Sequence, residues 1–532
     1  MTRQSMTQPI LAQYTVRSKQ EYIFRSNRLQ EIVGASAMIS QSFDLLFSCA
    51  ERLGIKTERG GGAFRMEETL RKFREGELDM VDLFVGGGND TVLFRDRDVC
   101  RRVNEAFTFA VLKDRPGMIP MYAGVPIQPD EGGAYNYRED YAALVRAAEA
   151  EKKRMVPGRG RYAVPFARTD RTNFQPQSIR VNIGGSEMWL SDEACAKRTF
   201  SRRDDVRFLD ELVTQRGEES LLAIVHADGN NMGVKIQHKL GGATDYDVCV
   251  TAMRQFTANI SNVFTKAGRD ALERRGAELA ELERKKERPK LDDSAFQVRW
   301  IVSDGDDATF ICNAALAKEL TDAYLRGVSE YRTEDDSEEV YSSCAGICIF
   351  HSHYPFARAY ALAEQACDSA KAPVHKTAAA RGSAPGAPIE QAWLDFHYIH
   401  SGVGGDLDEL RELHQTGRRM ARPWFVCGQS TKESGAKSVE KLDRLARILV
   451  GHKVSRSNIK TLGAIYEEDP AQGQLEWERI CYHNRQQGAG LLQEEAESLF
   501  SESHEELMKA LYDLSEVYDL WYGKEAVSGA ED

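Results

Sequence analysis

The sequence predicts an α+β protein with two ferredoxin-like (βαββαβ) units, an intervening domain between them and a helical C-terminal domain. Two observations carry this prediction. One order of strands and helices occurs twice, and each copy contains two short strands that flank a turn rich in glycine and aspartate. The 532 residues allow about three or four domains of about 100–200 residues each. The expected domains are residues 1–126 (first unit), 127–219 (intervening), 220–405 (second unit) and 406–532 (helical).

The first unit begins with an apolar strand and continues as helix, hairpin, helix and strand. Two apolar runs flank the sequence Gly-Gly-Gly-Asn-Asp, and this indicates a hairpin because glycine and aspartate are frequent in tight turns. The expected elements are a strand at 10–16, a helix at 29–53, strands at 81–85 and 91–94, a helix at 99–112 and a strand at 121–125.

The second unit repeats this order. Its first strand, SLLAIVHAD, is a continuous apolar run that ends in aspartate, which is typical of a buried strand. The turn Ser-Asp-Gly-Asp-Asp separates the two strands of its hairpin. The expected elements are strands at 220–228, 296–302, 308–312 and 343–350, and helices at 245–287, 314–327 and 355–371.

The regions outside these units differ in composition. Residues 127–219 show no strong periodicity and are locally basic, which suits either an RNA or partner surface or a solvated linker. Residues 378–388 have the small-residue and proline content of a linker, and residues 406–522 look helical throughout. The basic residues are Lys152, Lys153, Arg154, Arg159, Arg161, Arg168, Arg171, Arg202 and Arg203.

The charge balance is acidic, with 82 Asp and Glu against 70 Lys and Arg, for a formal charge of −12. This balance argues against a general nucleic-acid coat, because phosphate binding draws on clustered Lys and Arg, but it allows a local basic groove. No apolar run is long enough for a membrane helix, and the first residues lack the apolar core of a signal peptide. The ten cysteines form no Cys-x-x-Cys pair, so we expect a cytosolic protein without a disulfide framework.

Three aspartates form the sharpest candidate site. Asp228 ends the first strand of the second unit, and Asp306 and Asp307 lie in the hairpin turn expected beside that strand. Clustered carboxylates repel one another unless a cation neutralises them, and hard oxygen ligands suit Mg²⁺ or Mn²⁺. Two such ions can clamp an in-line phosphoryl transfer. On spacing alone, an ordinary polar hairpin turn is the better explanation of the aspartates in the turn, and Asp228 at the matching strand end makes the two explanations about equal.

Several motifs resemble the large subunit of type III CRISPR effector complexes. Residues 226–233 (HADGNNMG) and 302–307 (VSDGDD) resemble its catalytic palm domain, which is related to nucleotidyl cyclases. Residues 16–36 and 84–94 resemble the first palm of the same subunit. Further segments that resemble it are 353–358 (HYPFAR), 361–371, 394–397 (LDFH), 422–424 (RPW) and 455–458 (SRSN).

The resemblance implies a nucleotidyltransferase that joins ATP into cyclic oligoadenylate second messengers in antiviral defence. It implies activation by RNA, partnership with other effector subunits, ATP as substrate and Mg²⁺ or Mn²⁺ as cofactor. Asp228, Asp306 and Asp307 would be the catalytic metal ligands. The nucleotide would contact Gly229, Asn230, Asn231, Ser303, Asp304, Gly305, Lys371, Lys376, Gly86, Gly87 and Gly88. For the two lysines, a solvated helix end is the alternative.

The chain departs from that family's pattern in three ways. The family's turn is Gly-Gly-Asp-Asp, whereas here Ser303 and Asp304 precede Gly305, so that Asp304 stands at the first glycine. In the first strand of the unit, Asn230 replaces a carboxylate. No His-Asp dipeptide occurs, so we expect a compact form without an HD nuclease domain and without its metal-dependent DNA cleavage.

The first palm is expected to be catalytically inactive. Aligning the two turns places residues 88–90 over 305–307 and puts Arg17 at the position of Asp228, and an arginine cannot hold a cation. A structural role or a second nucleotide site, lined by Gly86, Gly87 and Gly88, is the expectation. Two alternatives stay open for the whole chain: a non-catalytic nucleotide-binding scaffold of an RNA-guided complex, and a cyclic dinucleotide synthase that uses another triphosphate.

Overall fold

Two mainly antiparallel sheets with a ferredoxin-like core organise the chain in a computed structural model, and the described residues fall into two compact units. The first unit comprises the described parts of Met1–Arg207 and Met232–Ser261, and the second those of Phe208–Asn231 and Asn262–Asp532. The structure describes residues 8–59, 66–129, 135–155, 166–170, 173–183, 186–201, 212, 220–286, 291–332, 339–380, 389–400, 404–413, 416–486, 491–501 and 503–522.

The first unit contains a five-stranded sheet and a separate two-stranded hairpin. The five strands follow the order β2-β3-β4-β1-β5, and β1 lies antiparallel to both β4 and β5. Without the two-residue strand β2, this is the ferredoxin-like order predicted from the sequence. The strands are β1 (Ile10–Val16), β2 (Thr57–Glu58), β3 (Met80–Gly86), β4 (Asn89–Phe94), β5 (Pro120–Pro126), β6 (Ile179–Ile183) and β7 (Ser186–Leu190).

Four helices of the first unit begin at side-chain caps, and α9 buries apolar residues against the sheet. The Asp96 side chain accepts from the backbone N–H groups of Asp98 and Val99 and starts α5. Val250 and Met253 of α9 join the core that covers one face of the sheet. The helices are α1 (Lys19–Phe24), α2 (Leu29–Ser40), α3 (Ser42–Arg52), α4 (Met66–Glu75), α5 (Arg97–Asp114), α6 (Tyr137–Arg154), α7 (Asp192–Phe200), α8 (Met232–Leu240) and α9 (Tyr246–Ile260).

The second unit is built on a six-stranded sheet with the order β13-β12-β11-β8-β10-β9. Its first four strands in chain order have the ferredoxin-like arrangement, and β12 extends the sheet parallel to β11. The central strand β8 is apolar and buried, as a strand covered on both faces requires. The strands are β8 (Leu221–Gly229), β9 (Arg299–Asp304), β10 (Asp307–Asn313), β11 (Ser343–His351), β12 (Gln391–Tyr398) and β13 (Trp424–Gly428).

Three helices pack around this sheet. The expected helix at 245–287 is divided among α9, a π-helical segment at Ser261–Gly268 and α10 (Arg269–Arg284). Besides α10, the helices of this group are α11 (Ala317–Glu330) and α12 (Phe356–Ala380). Helix α12 packs very closely against β11. A Cβ added to Gly346 of β11 would lie 2.0 Å from the carbonyl oxygen of Ala363, so only glycine fits at this crossing.

The C-terminal region is mainly helical, as predicted, and one segment corrects the sequence interpretation. The strand β13 lies inside residues 406–522, so the prediction that this region is helical throughout is wrong there. Asp513 is fully buried and accepts hydrogen bonds from the backbone N–H of Arg422 and from Trp424 Nε1. The helices are α13 (Leu407–Leu413), α14 (Thr416–Arg419), α15 (Lys432–Ala436), α16 (Val439–Gly451), α17 (Arg456–Glu468), α18 (Pro470–Gln486), α19 (Leu492–Leu499) and α20 (His504–Trp521).

Among the helices in the described part of the chain, none alone is long and apolar enough to cross a membrane. The bent pair α2 and α3 meets the same criterion together, by length and composition only.

Several residues of the predicted basic stretch lie outside the described residues, as do residues 381–388 of the predicted linker. The basic residues concerned are Arg159, Arg161, Arg171, Arg202 and Arg203.

Candidate active site

The sheet of the second unit brings the three predicted aspartates to one place. Asp228 is the penultimate residue of β8, and Asp307 is the first residue of β10. Ala308 pairs with Ala227, so the next register positions place Asp307 beside Asp228 at neighbouring strand ends. The β9–β10 connection is a two-residue turn in which Gly305 has a φ of 66°, a conformation that glycine adopts without strain.

The geometry of the cluster suits a divalent cation. One carboxylate oxygen from each of Asp228, Asp306 and Asp307 lies within 4.8 Å of the others, and all three residues are half-buried. Two oxygens bound to one Mg²⁺ at about 2.1 Å are separated by at most about 4.2 Å, so small side-chain rotations suffice to bring these oxygens onto one ion. The donor set, carboxylate oxygen alone, is the set that Mg²⁺ and Mn²⁺ prefer.

The negative charges of the three carboxylates also favour a bound cation. Burial raises the pKa of Asp307 to about 8, and the charges of Asp228 and Asp306 add to this rise, while Lys371 opposes it. Asp307 therefore holds a proton at neutral pH when no cation neutralises its neighbours. A cation bound to the cluster would take the place of that proton.

Lys371 lies at the cluster, at the position in α12 where the sequence predicted a phosphate contact. Its Nζ donates to the Asp228 carboxylate and also to the carbonyl oxygen of Gly229 at 3.4 Å. Burial lowers the pKa of Lys371, but the charge of Asp228, the hydrogen bond to it and the neighbouring Cys367 and Cys344 together outweigh burial. The net shift is upward, so the side chain stays a cation. No sequence pattern indicates this ion pair, because 143 positions separate the partners.

Lys376 lies elsewhere. It is on the same helix, is exposed, and forms its ion pair with Glu433 of α15 at 3.5 Å. The structure thus separates the two predicted lysines: Lys371 contacts the aspartate cluster, and the ion pair of Lys376 is with another part of the second unit.

Asn230 and Asn231 hold the backbone that leads into β12. Asn230 is 4% exposed, and its Nδ2 donates to Ser342 Oγ and to the carbonyl oxygen of Gln391, both at 2.9 Å. Asn231 has a φ of 61°, and its Nδ2 donates to the carbonyl oxygen of Ile389 at 2.8 Å. An aspartate has no N–H to donate to these carbonyls, so the asparagine that replaces the family's carboxylate at 230 has a structural reason.

The remaining predicted residues of the second unit frame the aspartates. Gly229 is buried at the end of β8, and Ser343 Oγ donates to the carbonyl oxygen of Asp228 at 3.0 Å, which fixes the backbone there. Ser303 pairs with Ala308, and the backbone of Asp304 pairs with that of Asp307. Buried His226 is kept neutral, because burial lowers its pKa to about 4.

Among the residues that the structure describes in the first unit, no equivalent carboxylate cluster occurs. The alignment of its turn with that of the second unit corrects the predicted alignment. Its turn is Gly87–Gly88, with φ of 58° and 65°, and Gly86 pairs with Asn89 across it. Since both turns contain two residues, Gly87–Gly88 matches Gly305–Asp306, and Asn89 matches Asp307. Thr15, which pairs with Asn89, therefore matches Asp228.

The predicted register was one residue off, and the predicted equivalent of Asp228, Arg17, was wrong. The conclusion that this turn lacks the carboxylates survives, since Thr15, Gly88 and Asn89 stand at the three positions. Gly88 accepts a hydrogen bond from Lys19 Nζ at 2.5 Å through its carbonyl oxygen. A Cβ added to Gly86 would lie 2.6 Å from Thr257 Cγ2, so Gly86 is packed under α9. A nucleotide site at Gly86, Gly87 and Gly88 stays a prediction.

Comparison with known proteins finds a family model that matches one segment of the chain. Residues 221–380 match the model of the Cas10/Cmr2 second palm domain, and this segment contains β8 to β11, α12, the three aspartates and Lys371. No curated protein matches the sequence.

Solved structures of similar fold include Csm1 in T.onnurineus, which is 14% identical with a TM-score of 0.48, over 92% of this chain and 65% of that chain. They also include a Csm1-Csm4 cassette in complex with pppApA, at 12% identity, a TM-score of 0.49 and coverage of 90% and 64%. A Csm1-Csm4 cassette in complex with AMPPNP has 13% identity, a TM-score of 0.49 and coverage of 90% and 65%. This chain thus spans slightly less than two thirds of the length of these solved chains.

Proposed function

We propose that this chain, which carries a second palm domain of the Cas10/Cmr2 type, is a metal-dependent nucleotidyltransferase that joins ATP into cyclic oligoadenylates. The observation that carries the proposal is the cluster of Asp228, Asp306 and Asp307, whose carboxylate oxygens lie within 4.8 Å of one another inside the segment that matches the family model. The proposal places the chain in the cytosol, in an effector complex with other subunits, where foreign RNA activates it.

The residues of the chain would act mainly by positioning. Asp228, Asp306 and Asp307 would hold Mg²⁺ or Mn²⁺, which when bound neutralises the negative charge of the triphosphate oxygens. The two strand ends fix the carboxylates, and the glycines beside them, Gly229 and Gly305, leave room for the nucleotide to approach the backbone. The nucleotide would lie over the β9–β10 turn, within reach of Lys371.

The reaction is an in-line displacement at phosphorus. The 3′-hydroxyl oxygen of one ATP forms a bond to the α-phosphorus of another, the bond from that phosphorus to the bridging oxygen breaks, and pyrophosphate leaves. The hydroxyl proton passes to water, and a final intramolecular displacement of the same kind closes the ring. Positioning of the reacting groups and electrostatic stabilisation supply most of the acceleration in such a reaction.

The test is pyrophosphate release from ATP by the purified chain with Mg²⁺ or Mn²⁺, with and without RNA. We expect release by the native chain and its loss in the double variant Asp306→Ala plus Asp307→Ala. The matched control is Asp293→Ala, which removes an exposed carboxylate of the same unit and should leave release unchanged. Absence of pyrophosphate under every condition, or equal release by the double variant, would contradict the proposal.

A second candidate function, a nucleotide-binding scaffold without turnover, has one observation in its favour. Asn230 stands where the family has a carboxylate, and its amide is committed to Ser342 and Gln391, so this cluster has one acidic ligand fewer. Nucleotide binding without pyrophosphate release would favour the scaffold. Competition among the four triphosphates in the same assay would identify a synthase that uses a base other than adenine.

A further inference from the structure

The ammonium group of Lys371 lies against the aspartate cluster. Its Nζ donates to the carboxylate of Asp228, one of the three expected metal ligands, and to the carbonyl oxygen of Gly229. Its side chain is 15% exposed, so the ion pair is largely shielded from water. The positive charge that the aspartate cluster requires is therefore supplied in part by the chain itself.

The backbone beneath Lys371 is fixed, but its side chain is not. Cys367, Ala370 and Val374 of α12 are buried with at most 2% exposure, and the close contact at Gly346 holds the helix against β11. A lysine side chain has four rotatable bonds and carries a compact point charge. The ammonium can therefore leave Asp228 while the helix stays in place.

An ammonium and a divalent cation on the same carboxylate repel each other strongly when both are half-buried. A metal ion on the Asp228 oxygen that Lys371 contacts would therefore displace the ammonium, which then needs a new anionic partner. A nucleoside triphosphate bound over the β9–β10 turn supplies that partner, because lysine binds phosphate oxygens readily.

We propose that Lys371 is a positioning residue that occupies Asp228 in the nucleotide-free protein and passes to the triphosphate when metal and nucleotide bind. Metal and nucleotide then bind cooperatively, and metal alone binds weakly. This inference rests on the proposed function, since it assumes that the aspartate cluster is a metal site for a triphosphate reaction.

The test is direct measurement of Mn²⁺ binding to the full chain, by electron paramagnetic resonance of free Mn²⁺, with and without AMPPNP as the nucleotide. Without nucleotide, we expect Lys371→Met to bind Mn²⁺ about tenfold more tightly than the native chain, within the usual range of coupling between sites. AMPPNP should tighten Mn²⁺ binding about tenfold in the native chain and much less in the variant. Lys285→Met, which removes an exposed lysine of the same unit that pairs with Glu281, is the control and should match the native chain.

Two further variants make the outcome decisive. Lys371→Gln is a second neutral variant, in case Lys371→Met does not fold, and thermal unfolding checks the folding of both. Lys371→Arg keeps the positive charge and should keep Mn²⁺ binding weak. The role of Lys371 is overturned if both neutral variants bind Mn²⁺ no more tightly than the native chain. If Asp306→Ala plus Asp307→Ala still abolishes Mn²⁺ binding in that case, the metal site itself stands. Mn²⁺ binding that the double aspartate variant leaves unchanged, or no Mn²⁺ binding by any variant, overturns the metal site and with it the proposed function.

Discussion

Replacing Asn230 by aspartate tests whether position 230 is structural or belongs to the metal site. The Asn230 amide donates two buried hydrogen bonds of 2.9 Å, and an aspartate can donate neither. Each buried hydrogen bond lost costs about 1–3 kcal/mol, and a carboxylate facing the carbonyl of Gln391 adds repulsion. Since two bonds are lost, we expect Asn230→Asp to lower the free energy of unfolding by about 2–6 kcal/mol.

Chemical denaturation at pH 8 and at pH 5 measures this effect and separates its parts. Asn230→Ala loses the same two bonds without adding a charge, so it serves as the control. Burial raises the pKa of the new carboxyl group, so the folded protein favours its protonated form. The loss in free energy of unfolding caused by Asn230→Asp should therefore be smaller at pH 5 than at pH 8. The loss caused by Asn230→Ala should be the same at both pH values. Unchanged stability of Asn230→Asp, together with tighter Mn²⁺ binding, would refute the reasoning and make position 230 a metal ligand.

Two further predictions concern the framework of the second unit. Gly346→Ala should cost at least about 3 kcal/mol in thermal unfolding, because its Cβ has no room against α12, whereas Gly435→Ala, which has open space, should change stability by less than about 0.5 kcal/mol. Burial, and then the charge of Arg422, lowers the pKa of His397 from 6.5 to about 4. Between pH 6.5 and 4 the unfolded chain binds a proton that the folded chain does not, so this residue should remove up to about 3 kcal/mol of stability as the pH falls through that window, and His397→Gln should remove that dependence.

Each of these predictions has a clear contrary result. A Gly346→Ala variant as stable as Gly435→Ala would mean that α12 and β11 are farther apart than described. An acid-induced loss of stability that persists at full size in His397→Gln would assign the pH dependence to other groups.

The topology was accessible from the sequence because local signals repeat. Two Gly/Asp turns between apolar strands define both hairpins, and an apolar run that ends in Asp228 defines the central strand of the second sheet. The ferredoxin-like order then follows from the succession of elements and was confirmed in both sheets. The juxtaposition of the three aspartates follows from that order, because the first strand and the hairpin are neighbours.

The parts that were missed depend on contacts distant in sequence or on single-residue register. Strand β13 has five residues, too few for a period to be visible among helices. The alignment of the two turns was off by one because the sequence does not show which two glycines occupy the turn. The equivalent of Asp228 was placed at Arg17 and not at Thr15 because the sequence does not show which residue of β1 pairs with Asn89. The hydrogen bonds of Asn230 and the ion pair of Lys371 join segments more than 100 residues apart, and no pattern within either segment encodes them.

The most direct test of the central claim is the mass spectrum of the product that the chain forms from ATP with Mn²⁺ in the presence of RNA. The account predicts masses of cyclic oligoadenylates, which carry no triphosphate end, together with released pyrophosphate, and their disappearance in the Asp306→Ala plus Asp307→Ala variant. Recovery of intact ATP from protein that binds AMPPNP would contradict the account and identify the second palm as a nucleotide-binding scaffold.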